Sequence, residues 1–183
     1  MAYRKICTEG NKILTKVCRP VKDFNMRLHI LLDDMTDTLM YADGAGLAAP
    51  QVGVMRRACL VRDLSKEDRP VEEQILELIN PEIIEEDGEQ TGIEGCLSIP
   101  DVWGIVTRPQ KVKVRAQNRN GEFFEVEGEG ILARALCHEI DHLDGHLFRE
   151  KSEKILTPDE LRAYLAKERQ DAESTGEKTE TGE

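Results

Sequence analysis

Residues 131–148 read ILARALCHEIDHLDGHLF, and the spacing of their apolar side chains gives the first fixed point of the fold. Leu132, Leu136, Ile140 and Leu143 fall in one narrow stripe at the 3.6-residue period, which predicts an amphipathic helix ended by Gly145. Within it His138 and His142 lie four positions apart, so they differ by about 40° around the axis and project side by side. Two ligands of one metal ion require that spacing. The imidazoles lie off the apolar stripe, so they do not simply replace core residues. Glu139, beside the first histidine, can reach a metal-bound water without ligating the ion, the arrangement of a general base in metal-assisted hydrolysis. Two plainer readings compete: paired histidines arise by chance on helices, and a lone glutamate suits a solvated helix face. The coincidence of all three residues favours a metal hydrolase.

Spacing alone leaves the third ligand open. The pattern H-E-x-x-H-x-x-G-x-x-H is met at Gly145 but has Phe148 in its last place, His146 falls two residues early, and no methionine follows Met55 to form a Met-turn. A downstream glutamate stays open, because the C-terminal region is rich in them. Cys96, in TGIEGCLSIP (91–100), is the better candidate: Gly95 permits close backbone approach, and a thiolate is a soft, strong ligand for Fe(II) or Zn(II). Taken alone, Cys96 fits an inert core position equally well. A third stretch, GAGLAAPQ (44–51), offers small residues beside which a peptide backbone could lie and Gln51 as an amide donor; its plain reading is a glycine-rich turn.

Around these stretches the chain reads as one domain. Leu28, Leu32, Met35 and Leu39 recur at spacings of three and four between Asp23 and Asp43, predicting a helix that ends before Gly44, with His29 a surface or edge residue. ACLVRD (58–63) and ILELINPEI (75–83) read as strands joined by the polar loop SKEDRPVEEQ. KVKVRAQNRNGEFFEVEGEG (111–130) alternates Val112, Val114 and Ala116, turns at Asn120-Gly121 and returns through Phe124 and Val126, a hairpin. Thr157-Pro158-Asp159-Glu160 has the form of a capping box opening a last helix through LRAYLAKER. QDAESTGEKTETGE, after it, has no large apolar residue; the expected division is a catalytic unit over 1–167 and a disordered acidic tail over 168–183.

Bulk properties exclude several classes. The 183 residues, 39% hydrophobic and 33% charged, suit a single soluble domain whose low aromatic content, 4%, leaves most of the core to Leu, Ile and Val. A net charge of -11 disfavours broad contact with nucleic acid phosphates, so no direct DNA binding is expected. No membrane span is expected either. The N-terminus MAYRKICTEGNKIL lacks the apolar core of a signal peptide, which points to the cytoplasm. Cys7, Cys18, Cys59, Cys96 and Cys137 are odd in number and scattered, without CxxC spacing, so neither disulfides nor a zinc knuckle are expected.

Together GAGLAAPQ, EGCLS and HEIDH, in this order, resemble the three motifs of peptide deformylases, and the resemblance runs to about Lys167. It implies an α+β fold in which antiparallel sheets surround the central helix bearing HExxH, with a C-terminal helix. The implied reaction removes formate from the N-terminal formylmethionine of nascent polypeptides, and transient association with the ribosome is an expectation that goes with it. It implies native Fe2+ held by Cys96, His138 and His142, replaceable by Zn2+, Ni2+ or Co2+. Glu139 would take a proton from water and return it to the leaving amine, while the Gln51 amide and the backbone N–H of Leu97 would stabilise the oxyanion. The substrate would lie extended beside Ala45, Gly46 and Gly95, its methionine side chain near Trp103, Ile131, Ala135 and His138. Ala135 has independent support, being small and one turn before Glu139 on the histidine side; Trp103 fits an ordinary packing role as well.

The chain departs from the family pattern at Lys12 in GNKIL, where a proline is frequent, and at His146, where an aliphatic residue is common. Two other functions remain in view. One is a zinc peptidase using HEIDH with a downstream glutamate; the other is a non-enzymatic metal-binding module with a closed four-ligand site.

Overall fold

Leu28, Leu32, Met35 and Leu39 line the buried face of α1 (Met26–Ala42) in the computed structural model, which describes residues 3–66 and 68–176. Asn25 opens this helix by accepting the backbone N–H groups of Arg27 and Leu28, and Asp43, in the left-handed conformation, ends it. The chain continues through β1 (Gly46–Ala48), β2 (Ala58–Arg62), the one-turn α2 (Val71–Gln74), β3 (Ile75–Asp87), β4 (Gln90–Cys96) and β5 (Ile99–Arg108). Then follow β6 (Lys111–Gln117), β7 (Phe123–Glu129), α3 (Ile131–Leu143), the one-turn α4 (Phe148–Lys151), β8 (Ser152–Leu156) and α5 (Pro158–Gly176).

The strands form two antiparallel sheets, of five strands in the order β1-β2-β3-β6-β7 and of three in the order β4-β5-β8, so the fold is α+β. In the β6–β7 hairpin Lys111 pairs with Glu129 and Gln117 with Phe123. Gly121, at φ +87°, makes its turn possible, and the Asn118 side chain accepts the N–H groups of Asn120 and Glu122. Helix α3 packs on β1, β2, β6 and β7 and reaches β5, so the two sheets meet on it. Leu136, Ile140 and Leu143 enter a core with Cys59, Val61, Leu78, Val112 and Val114, while Leu132 stays partly exposed at the helix edge. Gly128 lets helix and sheet come this close: a Cβ there would stand 2.7 Å from the Leu136 side chain and 3.1 Å from the Ala133 nitrogen.

Three details extend or alter the sequence expectations. The polar linker before β3 contains α2, and the three-stranded sheet occupies segments where no strand was expected. Helix α5 opens with the reciprocal Thr157–Glu160 cap but runs on to Gly176, into the stretch 168–183 expected to be disordered. Ala, Glu, Gln and Arg have good helix propensity, so a capped helix propagates through them without apolar contacts; residues 177–183 lie outside the described residues. At the Lys12 departure Asn11 caps a short 3-10 turn, its side chain accepting the Ile13 N–H.

Leu136 is fully buried where α3 crosses the sheet. Leu136→Ala should therefore lower the unfolding free energy by about 2–5 kcal/mol, whereas Val17→Ala, at an exposed site, should stay within about 0.5 kcal/mol, both read by denaturant titration.

Candidate metal centre

Helix α3 supplies His138 and His142 and strand β4 supplies Cys96, and the donor atoms of the three all lie within 4.8 Å of one another. Cys96 Sγ is 3.2 Å from His142 Nε2, and the two imidazoles meet edge to face with centroids 5.0 Å apart. Phe148 stacks on His138 and closes one side. Both histidines are buried and Cys96 is half-buried. His138 Nδ1 is engaged by the Glu94 carboxylate at 2.9 Å, which leaves Nε2 as its donor toward the cluster. Burial pushes the His138 pKa down, but hydrogen bonds to Cys96 and Glu94 outweigh it and hold the imidazole up to about 10. Burial, and then the charge on His138, push His142 well below its ordinary value. A thiol and two imidazoles converging within 4.8 Å fit a borderline-soft divalent ion. Among the described residues no glutamate downstream joins the cluster.

Glu139 is buried on the same helix, and its Oε2 has no hydrogen-bond partner among the described residues. Burial raises its pKa to about 7, with the neighbouring His138 opposing. Its carboxylate lies against the backbone of Gly46; a Cβ at that position would collide with Oε1, which accounts for a glycine there. Gln51 is buried and oriented at both ends: Oε1 accepts the Ala48 N–H at 2.7 Å, and Nε2 donates to Ser98 Oγ at 3.1 Å and faces Cys96 Sγ at 3.5 Å. Leu97 follows the cysteine in the turn between β4 and β5, and its side chain sits against Gly44.

These groups open onto one cleft of about 440 Å³, lined also by Ala45, Gly46, Gly95, Trp103, Ile131 and Ala135. Trp103 and Ile131 are exposed at its rim. The side-chain side of Gly95 is covered by the Trp103 indole, because the two residues pair across β4 and β5 and a Cβ on Gly95 would come within 2.6 Å of the ring. Trp103 thus both packs on β4 and lines the cleft. The other two histidines lie elsewhere: His29 bonds the Arg119 carbonyl, and His146 bonds Glu150.

Sequence reasoning missed a buried ion cluster behind the metal ligands. Arg108 donates to both Glu94 oxygens, through Nε at 2.8 Å and an Nη at 2.9 Å, and its other Nη reaches Asp141 on α3. Arg134 adds a bond to Glu94 at 3.0 Å, and Lys151 holds Asp141 at 2.7 Å. Burial would raise the Glu94 pKa, but hydrogen bonds from Arg108 and His138 hold it well below the usual carboxylate range. One signal was available: Glu94 stands two residues before Cys96 in the same motif stretch, although the strand pairing shifts between Gly95 and Cys96. Glu94→Gln should weaken metal binding about 10–100-fold, measured by chelator competition; unchanged affinity would show that Glu94 does not orient His138.

The polypeptide deformylase family model matches residues 3–157. A peptide deformylase of Caldicellulosiruptor bescii is 51% identical over 161 residues, covering 88% of this chain and 92% of that protein. Among solved structures, a peptide deformylase from Legionella pneumophila superposes with a TM-score of 0.76 at 39% identity, covering 93% of this chain and 98% of that one. A Met-Ala-Ser-bound class I type b peptide deformylase from Acinetobacter baumannii gives 0.74 at 34% identity, covering 82% and 98%. With the family pattern spanning both sheets and the helix between them, the chain belongs to the peptide deformylase family.

Proposed function

We infer that this metal-dependent hydrolase removes the formyl group from the N-terminal formylmethionine of nascent polypeptides and releases formate, with residues 1–167 as the catalytic unit. The observation that carries the site assignment is the convergence of Cys96, His138 and His142 beside Glu139, whose Oε2 has no hydrogen-bond partner among the described residues. These three side chains would hold the ion. Fe2+ is the proposed resident, since a thiolate with two imidazoles suits it, and Zn2+, Ni2+ or Co2+ can replace it because such a set selects weakly. When bound, the ion supplies a Lewis acid that lets water attack near neutral pH.

The protein's own groups carry the remaining work. Glu139 accepts the proton of the attacking water at a carboxylate oxygen and returns it to the departing amine. Gln51 Nε2–H donates to the formyl oxygen as negative charge grows there, joined by the backbone N–H of Leu97. Ile131, Ala135 and the His138 ring receive the methionine side chain, with Trp103 at the rim. The peptide backbone extends past Ala45, Gly46 and Gly95; β1 and β4 are sheet edges flanking the cleft, which supports strand-like binding, as does the relative that holds Met-Ala-Ser. We place the reaction in the cytoplasm on chains emerging from the ribosome, with transient ribosome association. No helix among the described residues is long and apolar enough to cross a membrane.

Formate release from a formyl-Met peptide by anaerobically purified protein tests the function. Glu139→Gln should keep its metal yet lose at least about 100-fold in turnover, since an amide cannot accept the proton; near-normal turnover in the metal-replete variant would remove Glu139 as the base. Matched Fe(II) and Zn(II) samples exposed to air should diverge, the iron form losing activity faster as iron and the Cys96 sulfur oxidise. Equal decay would contradict the redox-sensitive iron–thiolate site.

A further inference from the structure

We propose that Ser98 is a positioning residue that fixes the Gln51 carboxamide with one N–H aimed into the cleft, an inference that rests on Gln51 serving as the donor to the formyl oxygen. A carboxamide has two ends of similar shape and opposite polarity, so a flipped side chain would present an acceptor where a donor is needed. Gln51 and Ser98 are 1% and 0% exposed, so bulk water cannot compensate a misplaced amide. The Ala48 N–H only donates; by engaging Oε1 at 2.7 Å it selects which end of the amide faces the cleft. The Ser98 hydroxyl then takes one Nε2 hydrogen at 3.1 Å and sets the rotation of the amide plane. The other hydrogen is left toward Cys96 Sγ at 3.5 Å, a long contact to a weak acceptor that a substrate oxygen can displace.

The backbone holds the same pair at a fixed separation. In the extended segment before Gly10, the Cys7 N–H donates to the Gln51 carbonyl at 2.7 Å and the Glu9 N–H donates to the Ser98 carbonyl at 2.8 Å. Ser98 does not line the cleft, so its hydroxyl acts on the reaction through Gln51.

The test is a double-mutant cycle of Ser98→Ala, Gln51→Ala and the double variant, with kcat and KM measured on a formyl-Met peptide at matched metal content. Loss of an oxyanion donor costs about 100–1000-fold in kcat, and Ser98→Ala should lose part of that, about tenfold, with KM within about twofold. In the Gln51→Ala background it should have no further effect, because residues acting through one another do not add. In metal-free protein the Gln51 side-chain amide protons should exchange slowly with solvent and lose that protection in Ser98→Ala, read by NMR, whose spectra also report folding. Ser98→Cys, which offers a weaker acceptor, should fall between. An unchanged kcat in Ser98→Ala, or an equal loss in both backgrounds, would overturn the role of Ser98 while leaving Gln51 in place. An unchanged kcat in Gln51→Ala would overturn the donor assignment and the Ser98 proposal together.

Discussion

The ionised carboxylate of Glu94, buried between a sheet and a helix, is the constraint on which the site depends. Leaving such a charge unpaired would cost about 3–5 kcal/mol, so the strand that carries it must meet the cations that answer it. Arg108 on β5 and Arg134 on α3 do so, and Arg108 also spans to Asp141 of the helix. These ties fix the register of β4 against α3. Cys96 follows Glu94 by two residues, beyond a register shift after Gly95, and its sulfur meets His142 while Glu94 orients His138. Three donors from two distant segments therefore converge as a consequence of one joint.

The same joint bears on why Glu139 Oε2 has no hydrogen-bond partner among the described residues. Its carboxylate neighbours, Glu94 and Asp141, engage Arg108, Arg134 and Lys151, so among the described residues none of these cations pairs directly with Glu139, and the charges of His138 and Arg108 only partly offset its burial. A carboxylate paired with arginine would be a poor proton acceptor, whereas one that is buried and unpartnered has its pKa lifted toward neutrality. The cysteines divide along similar lines. Burial pushes the thiols of Cys18 and Cys137 up to about 11 and that of Cys59 well above its ordinary value, which keeps them protonated and inert. Cys96 instead stands half-buried among imidazoles at the cleft.

Where a helix or hairpin buries one apolar face, its period was legible from sequence: α1, the β6–β7 hairpin and α3 all show it. The three-stranded sheet was not, for an identifiable reason. Strand β4 carries Gly92, Gly95 and the charged Glu94, and β5 is interrupted by Pro100 and Gly104, so neither shows simple apolar alternation. The motif residues could be grouped because their types and spacings match a known chemistry. Arg108 and Arg134 could not, since each acts on a partner at least 14 positions away in the chain and carries no local signature, and Ser98, though inside EGCLS, acts on Gln51 in another motif. The length of α5 escaped for the opposite reason: helix propensity sustains it without the apolar residues that would have marked it.

X-ray absorption at the metal edge of the loaded protein counts the ligand types around the ion. With zinc bound, one sulfur at about 2.3 Å, two imidazole nitrogens at about 2.0–2.1 Å and a light oxygen donor in the remaining position are expected. A first shell without sulfur, or one in which a carboxylate replaces an imidazole, would contradict the assignment of Cys96, His138 and His142 as the centre on which the fold converges.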